Sequence, residues 1–236
     1  AHIFSNFNFD LGLDKFIKSK LEVSLEKTTN DTYLKVFESN LIDIDKKIKP
    51  TSQSQLTSNI KLDLNHGKFN FETGMSSYET LGGLNSDKYQ YILPYYELDI
   101  PQIKTSEYGN LSFSSSGSNK LKNTNNLTTL INNNLNFITR DFISLNGIIN
   151  NFGFYFKNTN KVGKKVSTLK NSPQVNLMNL INFESKYPLI KIDENYYNSL
   201  IPKLSFRINP TDMKNYKNED RKINTTNIFS INRLGL

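Results

Sequence analysis

The stretch that decides the fold is residues 59–75, which read NIKLDLNHGKFNFETGM. Apolar residues stand at positions 60, 62 and 64, and polar residues stand at 59, 61 and 63. After Asn65-His66-Gly67 the alternation resumes, with Phe69, Phe71 and Met75 on one parity. A period of two places apolar side chains on one face of a β-strand. Two such runs joined by a turn that contains Asn and Gly predict an antiparallel β-hairpin.

The same period continues on both sides of this hairpin. In residues 17–26 the apolar side chains share one parity, and Lys and Glu side chains fill the other. Helical spacing would scatter these charges around an apolar stripe, so a strand is favoured. Downstream, a tyrosine-rich run changes parity at Leu93-Pro94. Because proline cannot donate a hydrogen bond to a β-ladder, the change predicts a β-bulge.

Further segments with this pattern extend the prediction along the chain. The segment 125–139 also fits one helical face, but its run of Asn residues forms helices poorly, so a strand is predicted. The segment 142–157 predicts two strands around Asn150-Asn151. The others are 6–11, 110–114, 175–183 and 199–208. The predicted fold class is therefore all-β, an antiparallel up-and-down meander of about 12 strands.

The predicted connections between these strands differ in length. Short connections are expected at 12–15, 65–68 and 140–141. Long polar connections are expected at 39–54, 117–126, 158–173 and 209–226. An alternation of short turns and long loops is typical of transmembrane β-barrels of the outer membrane. The alternation is imperfect here, and we find no linker or composition shift that divides the chain.

Composition excludes some classes of protein and leaves others open. The 236 residues contain no stretch of about 18 apolar residues, which excludes a membrane-spanning helix. No signal peptide is expected, since no apolar segment follows a basic start. Disorder is disfavoured because 12% of residues are aromatic, and the lack of Cys excludes disulfides. A transmembrane barrel stays open, because its strands face lipid only at every second residue.

Alternation alone does not separate a barrel from a soluble β-sandwich, whose strands also alternate. The predicted strand lengths suit a barrel, because about 9–11 tilted residues cross a bilayer. Tyrosines near predicted strand ends suit the aromatic belts of barrels, although tyrosine also has a high β-propensity. These tyrosines are Tyr78, Tyr89, Tyr95 and Tyr96. Both interpretations stay open on the pattern alone.

The formal net charge is +7 and the sequence pI is about 9.3, which admits an anionic partner such as nucleic acid, anionic lipid or acidic saccharide. Few of the basic residues are Arg, and they are scattered, so nucleic-acid binding is disfavoured. The excess of Asn, Lys and Ile is also what an AT-rich coding sequence produces.

Enzymatic chemistry finds little support in the sequence. His2 and His66 are the only histidines, and neither stands near a nucleophile or metal-ligand motif. His66 is expected to be an exposed turn residue. The basic stretch 161–165 lacks the glycine spacing of a phosphate loop. Three acidic pairs are expected in loops or at strand ends, namely Asp43 with Asp45, Asp193 with Glu194, and Glu219 with Asp220. No catalytic residue, metal or cofactor is therefore predicted, and the chain is not expected to be an enzyme.

Several short motifs occur in an order found in one family. At the C-terminal end these are Pro202-Lys203-Leu204, Asn209-Pro210, Asn218-Glu219-Asp220 and 227–235 (NIFSINRLG). Upstream they are 31–34 (DTYL), 91–94 (YILP), 109–111 (GNL) and 187–189 (YPL). Together they resemble the LPS-assembly protein (LptD) family of Gram-negative outer membranes, in its alphaproteobacterial form. Ile201 and Leu234 depart from the pattern, standing where Glu and Phe are common in the family.

The resemblance implies a large barrel in the cell outer membrane that assembles lipopolysaccharide without bond chemistry. In that family a lipoprotein plug, LptE, fills the barrel, and an N-terminal β-jellyroll receives lipopolysaccharide from the periplasmic Lpt bridge. The length then implies that residues 1–236 form a middle part of the barrel. The jellyroll, the remaining strands and the lateral gate are expected to lie outside this stretch. Expected partners are lipopolysaccharide, the plug, the bridge (through the jellyroll) and outer-membrane lipid, with no nucleic acid.

In such a barrel the polar parity would face the lumen. The lumen-facing candidates are Lys18, Lys20, Glu22, Asn59, Lys61 and Asp63. The alternative interpretation is a secreted or surface β-sandwich that acts as a saccharide-binding or adhesin module. A third, an outer-membrane acyl hydrolase, has no supporting constellation of residues.

Overall fold

The computed structural model describes residues 1–36, 52, 54–84, 87–105, 107–123, 125–192 and 196–211. These residues form an all-β fold with one short helix. The elements are β1 (His2–Asp10), β2 (Lys18–Thr28), α1 (Tyr33–Val36), β3 (Gln55–His66), β4 (Phe69–Thr80), β5 (Tyr89–Thr105), β6 (Gly109–Lys122), β7 (Asn126–Thr139), β8 (Phe142–Ile143), β9 (Ile149–Lys164), β10 (Gln174–Lys186), β11 (Leu189–Ile192), β12 (Tyr197–Leu200) and β13 (Lys203–Ile208).

Eleven of these strands form one large antiparallel sheet. The strand order is β1-β2-β3-β4-β5-β6-β7-β9-β10-β13, and β8 pairs with β9. The strands β11 and β12 form a separate two-stranded sheet. Since neighbours in the sheet follow one another along the chain, the predicted up-and-down meander is confirmed. The strands that the structure describes do not close into a barrel.

The chain divides into two compact units. Of the described residues, unit 1 contains those within 1–101, 114–132 and 160–175. Unit 2 contains the described residues within 102–113, 133–159 and 176–211. The hairpin that decides the fold, β3 and β4, lies in unit 1.

The predicted hairpin is confirmed in unit 1. Leu64 pairs with Phe71 and Ile60 pairs with Met75, and Gly67 and Lys68 form the turn. The expectation that His66 is an exposed turn residue is wrong. Its ring lies at the end of β3, half-buried, with its centroid 5.0 Å from that of Phe69. Stacking on Phe69 covers part of the His66 ring, so the side chain is not fully exposed.

The predicted β-bulge is also confirmed in unit 1. Gly74 on β4 pairs with Tyr95 on β5, whereas Ser76 pairs with Ile92. Two residues of β5, Leu93 and Pro94, therefore stand opposite one residue of β4. Proline at this point costs no ladder hydrogen bond, because a bulge leaves one residue unpaired.

The small core of unit 1 lies where β2 ends and β3 begins. Leu34 of α1 is fully buried, and Leu56 and Leu81 are buried with it. Phe4 and Tyr33 pack against this cluster. The Asn30 side chain forms a turn just before α1, because its Oδ1 accepts a hydrogen bond from the Thr32 N–H at 3.0 Å.

Unit 2 corrects the predicted turn at Asn150-Asn151. Both residues lie inside β9, and the turn falls earlier, where the Ser144 N–H donates to the Ile148 carbonyl. Gly147 has a φ of 79°, a conformation that glycine adopts at no steric cost. The sequence Asn146-Gly147 carries the stronger turn signal, so the turn chemistry was misassigned by a few residues.

Two predicted long connections are wrong as well. The strand β6 continues to Lys122 and β7 begins at Asn126, so most of 117–126 is strand. The strand β9 continues to Lys164, which shortens the predicted connection at 158–173. Polar residues at every second position are compatible with a strand that has one solvated face. The polar runs within 117–126 and 158–173 were therefore wrongly assigned to loops. The predicted strand 199–208 is broken at Pro202, which lies between β12 and β13.

Some expectations fall on residues outside the described part of the chain. These are the three acidic pairs, most of the connections 39–54 and 209–226, and the C-terminal motifs from Asn218 onward.

The contacts of Asp141 in unit 2 predict how the stability of the fold changes at acidic pH. The pKa of Asp141 lies below its usual value because the Asn151 amide donates to the carboxylate at 2.8 Å and Lys186 Nζ lies 3.1 Å away. A carboxyl group with a lowered folded pKa stabilises the fold above its unfolded pKa, and this is lost as pH falls through the folded value. We expect Asp141→Asn to flatten the acid limb of the pH profile of urea unfolding. An unchanged acid limb in this variant would show that the ionised Asp141 carboxylate does not stabilise the fold.

Candidate functional site

The six residues that the sequence places in a lumen lie together on one face of β2 and β3. Lys20 stands opposite Asp63, and Glu22 stands opposite Lys61. Lys18 on β2 and Asn59 on β3 lie on the same face as these pairs. The Ser24 hydroxyl lies 2.9 Å from Asn59 Oδ1. We call this surface, which extends onto β1, β4 and β5, the polar face. That the polar face lines a lumen stays a prediction.

The charges of the polar face form a ladder of ion pairs. Lys18 Nζ lies 2.6 Å from Asp63 Oδ2, and Lys20 Nζ lies 2.5 Å from Glu22 Oε1. Lys61 Nζ pairs across the next strand boundary, at 2.7 Å from Glu72 Oε2. Three lysines thus meet three carboxylates, and their formal charges cancel.

These ion pairs affect the net charge of the surface more than they affect the stability of the fold. Their side chains are about one quarter to one half exposed, and exposed ion pairs contribute about 0–1 kcal/mol each. Because each lysine has a carboxylate beside it, the ladder offers hydrogen-bonding groups without a large positive field. The polar face of β2–β4 is therefore suited to water and to hydroxyl-rich molecules.

Two residues that contact the ladder, Glu72 and Tyr95, were not among the six predicted residues. Glu72 pairs with Lys61, and the Tyr95 hydroxyl lies 3.3 Å from Glu72 Oε1. The signal was available for Glu72, since the alternation of β3 continues through the turn into β4. For Tyr95 the signal was the parity change at Leu93-Pro94, because the bulge turns the odd-numbered residues of β5 that follow it to this side.

The opposite face of the same strands is apolar, and we call it the apolar face. Phe7, Val23, Ile60 and Met75 form a continuous row across β1–β4. Phe7, Ile60 and Met75 are each about half exposed. A contiguous exposed row of large apolar side chains marks an interaction surface.

A second set of charges lies at the end of unit 1 that holds the small core. Glu79 is buried, and its carboxylate lies 2.5 Å from Lys27 Nζ and 3.3 Å from Lys88 Nζ. Lys88 also lies 2.8 Å from Asp31, and this contact holds the pKa of Asp31 below its usual value. The Tyr89 hydroxyl donates to Glu79 at 3.2 Å. This cluster ties the chain before α1 to the β4–β5 connection.

The two histidines lie in aromatic surroundings. The His2 ring stacks on Phe4 and its Nδ1 lies 3.1 Å from the Tyr33 hydroxyl. His66 stacks on Phe69, as described above. Among the described residues no group of three or more His, Cys, Asp or Glu side chains is arranged to hold a metal ion. No helix in that part of the chain has the length and apolar character needed to cross a membrane.

No family model matches the chain, and no curated protein matches it either.

Proposed function

We propose that the chain is a segment of an outer-membrane β-barrel that assembles lipopolysaccharide at the cell surface. The observation that carries the proposal is the two-faced sheet of unit 1. One face carries the ion-pair ladder. The other carries the row of Phe7, Val23, Ile60 and Met75, of which all but Val23 are about half exposed. An exposed apolar face opposite a polar one suits a wall between lipid and an aqueous lumen.

The exposure of the apolar face separates this proposal from the β-sandwich alternative. A sandwich buries the apolar faces of two sheets against each other in a layer about 10 Å thick. In the described part of the chain, the only fully buried large side chains are Leu34 and Leu56, and both belong to the small core at the strand ends. Lipid would cover the apolar row without a second protein layer.

The substrate class rests on the resemblance of the ordered motifs to the LPS-assembly family. One motif, residues 31–34, has a defined place in unit 1, where Asp31 pairs with Lys88 and Leu34 fills the small core. The proposed partners are lipopolysaccharide, a plug lipoprotein against the polar face and outer-membrane lipid against the apolar face. The proposed action is transport and assembly, with no bond made or broken.

Cysteine labelling tests the assignment of the two faces. The chain has no native Cys, so Lys20→Cys and Leu21→Cys each place one thiol on opposite faces of β2. In outer-membrane vesicles, we expect a bulky charged maleimide to label Lys20→Cys and to label Leu21→Cys at least about tenfold more slowly, because lipid covers the apolar face. In urea both should react at the same rate, which is the matched control. Equal labelling rates of the two variants in vesicles would contradict the proposal.

A further inference from the structure

We propose that unit 1 contains a binding site for a glycan that carries an anionic group. The site is a cavity of about 360 Å³ between β4, β5, β6 and the start of β7. This volume lies within the range of small-molecule sites. The residues that carry the argument are Ser76, Tyr78, Tyr95, Glu97, Lys120 and Asn132.

Two tyrosines supply aromatic walls to the cavity. The Tyr95 ring lies directly over Gly74, where a Cβ would come within 3.0 Å of it, and its hydroxyl is held by Glu72. Tyr95 is therefore fixed in place before a ligand arrives. Tyr78 is half-buried beside it and also lines the cavity. The C–H faces of pyranose rings pack on aromatic faces of this kind, and tyrosine combines an apolar ring with a polar tip.

Neutral hydrogen-bonding groups converge on the same space. Ser76 is buried and lines the cavity, and Ser116, Ser118 and Asn132 add hydroxyl and amide groups. A largely apolar cavity with a few converging polar groups is typical of a small-molecule site. Hydroxyl and amide groups match the hydroxyls of a sugar, because each can both donate and accept hydrogen bonds.

The charges at the cavity differ from those of the ladder. Lys18, Lys20 and Lys61 each lie within 2.7 Å of a carboxylate. Lys120 and Glu97 are exposed at the cavity, and within the described ranges neither has an ion-pair partner. A free ammonium group selects a phosphate or carboxylate substituent, and a free carboxylate accepts hydrogen bonds from sugar hydroxyls. Lys120 therefore gives the cavity a place for an anionic substituent, and Glu97 gives it an acceptor for the hydroxyls of the same glycan.

The cavity lies on the polar face, so this inference deepens the proposed function and rests on it, but glycan binding is measured without a bilayer. The anionic glycan comes from one of two sources, a lipid-linked saccharide or a free acidic oligosaccharide. The test below contains a probe for each source.

The test measures binding to the full chain in detergent micelles by saturation-transfer NMR. The probes are hexagalacturonate, neutral maltohexaose and the deacylated, phosphorylated oligosaccharide of lipopolysaccharide. We expect saturable binding of hexagalacturonate, and about tenfold weaker binding of maltohexaose. Tighter binding of the phosphorylated probe than of hexagalacturonate would identify the lipid-linked source, and the reverse order would identify the free one. Binding of maltohexaose as tight as that of both anionic probes would overturn the proposal.

Matched variants assign the binding to this cavity. Lys120→Gln should remove the preference for the anionic probes, while Lys122→Gln on the same strand should keep it. Tyr78→Ala should weaken all probes about tenfold, while Tyr91→Ala, on the opposite parity of the paired strand, should not. Equal effects of the cavity and control variants would overturn the assignment.

A third variant keeps the test decisive if Tyr78→Ala does not fold. The chain contains no Trp, so Tyr78→Trp keeps an aromatic wall and adds a single fluorescent reporter. Its emission should shift on saturation with hexagalacturonate, and an unshifted emission would overturn the site. Failure of the barrel proposal would appear separately, as equal cysteine labelling of the two faces of β2.

Discussion

Replacing Ile60 by lysine should destabilise the membrane-inserted protein by about 2–4 kcal/mol. Ile60 lies near the middle of β3 and is 51% exposed on the apolar face. In the proposed barrel its side chain reaches the centre of the bilayer. A charged ammonium group is most costly there, because lipid offers it neither water nor a counter-ion. The change is measured as a lower urea midpoint for the protein in outer-membrane vesicles.

The neighbouring position provides the matched control. Asn59 precedes Ile60 on β3 and lies on the polar face. Asn59→Lys introduces the same charge one residue away, on the side that is proposed to meet water, so its effect should stay within about 0.5 kcal/mol. A soluble sheet predicts small effects for both variants, since lysine at a half-exposed position is tolerated in water. Equal urea midpoints for both variants would therefore contradict the lipid-facing assignment of Ile60.

The sequence predicted the strands of unit 1 because their signal is local. Alternation with a period of two needs no knowledge of neighbouring strands. It correctly placed Lys18, Lys20 and Glu22 on one face of β2, and Asn59, Lys61 and Asp63 on one face of β3. The bulge at Leu93-Pro94 was equally local, because a parity change and a proline mark it.

The same local signal failed where polar residues continue a strand. Asn150 and Asn151 were assigned to a turn, but they lie inside β9. The region around Gly117 was assigned to a loop, although it continues β6, with the Tyr96 ring lying over the glycine. Glycine and asparagine in a strand are compatible with a solvated face and with close approach of an aromatic ring. Composition alone cannot separate these cases from a turn.

Contacts between distant strands lay beyond the sequence analysis altogether. The partner of Lys61 is Glu72, and this pairing depends on the register of the β3–β4 hairpin. The cavity that holds Tyr78 and Lys120 brings together strands whose register is set by the bulge and by the turns between them. A shift of one residue would turn every side chain to the other face. Register therefore decides the site, and turn geometry decides register.

The pairing of charges changes how the polar face would treat lipopolysaccharide. A face of unpaired lysines would bind anionic head groups tightly and would retain them. The lysines of the β2–β4 ladder are paired with carboxylates at 2.5–2.7 Å, so this part of the face is close to neutral. In the proposed barrel a neutral, hydrogen-bonding wall would let a saccharide pass. Lys120 and Glu97, which have no ion-pair partner within the described ranges, would offer charges at one place.

Truncating Leu34 to alanine should lower the free energy of unfolding by about 2–4 kcal/mol. Leu34 is fully buried against Leu56 and Leu81, so the change leaves a cavity that the surrounding strand ends fill only in part. The ion pair of Asp31 with Lys88 and the buried Glu79 lie beside this core, and they fix the chain on both sides of it.

The matched control for Leu34 is Leu25→Ala. Leu25 lies on β2 and is 43% exposed, so its truncation opens no cavity and should cost less than about 1 kcal/mol. Urea unfolding followed by circular dichroism measures both variants. Limited proteolysis should also cut the Leu34→Ala protein faster between β2 and β3, because Leu34 is the buried side chain of α1. If Leu25→Ala proved as destabilising as Leu34→Ala, the small core would not anchor the β2–β3 connection.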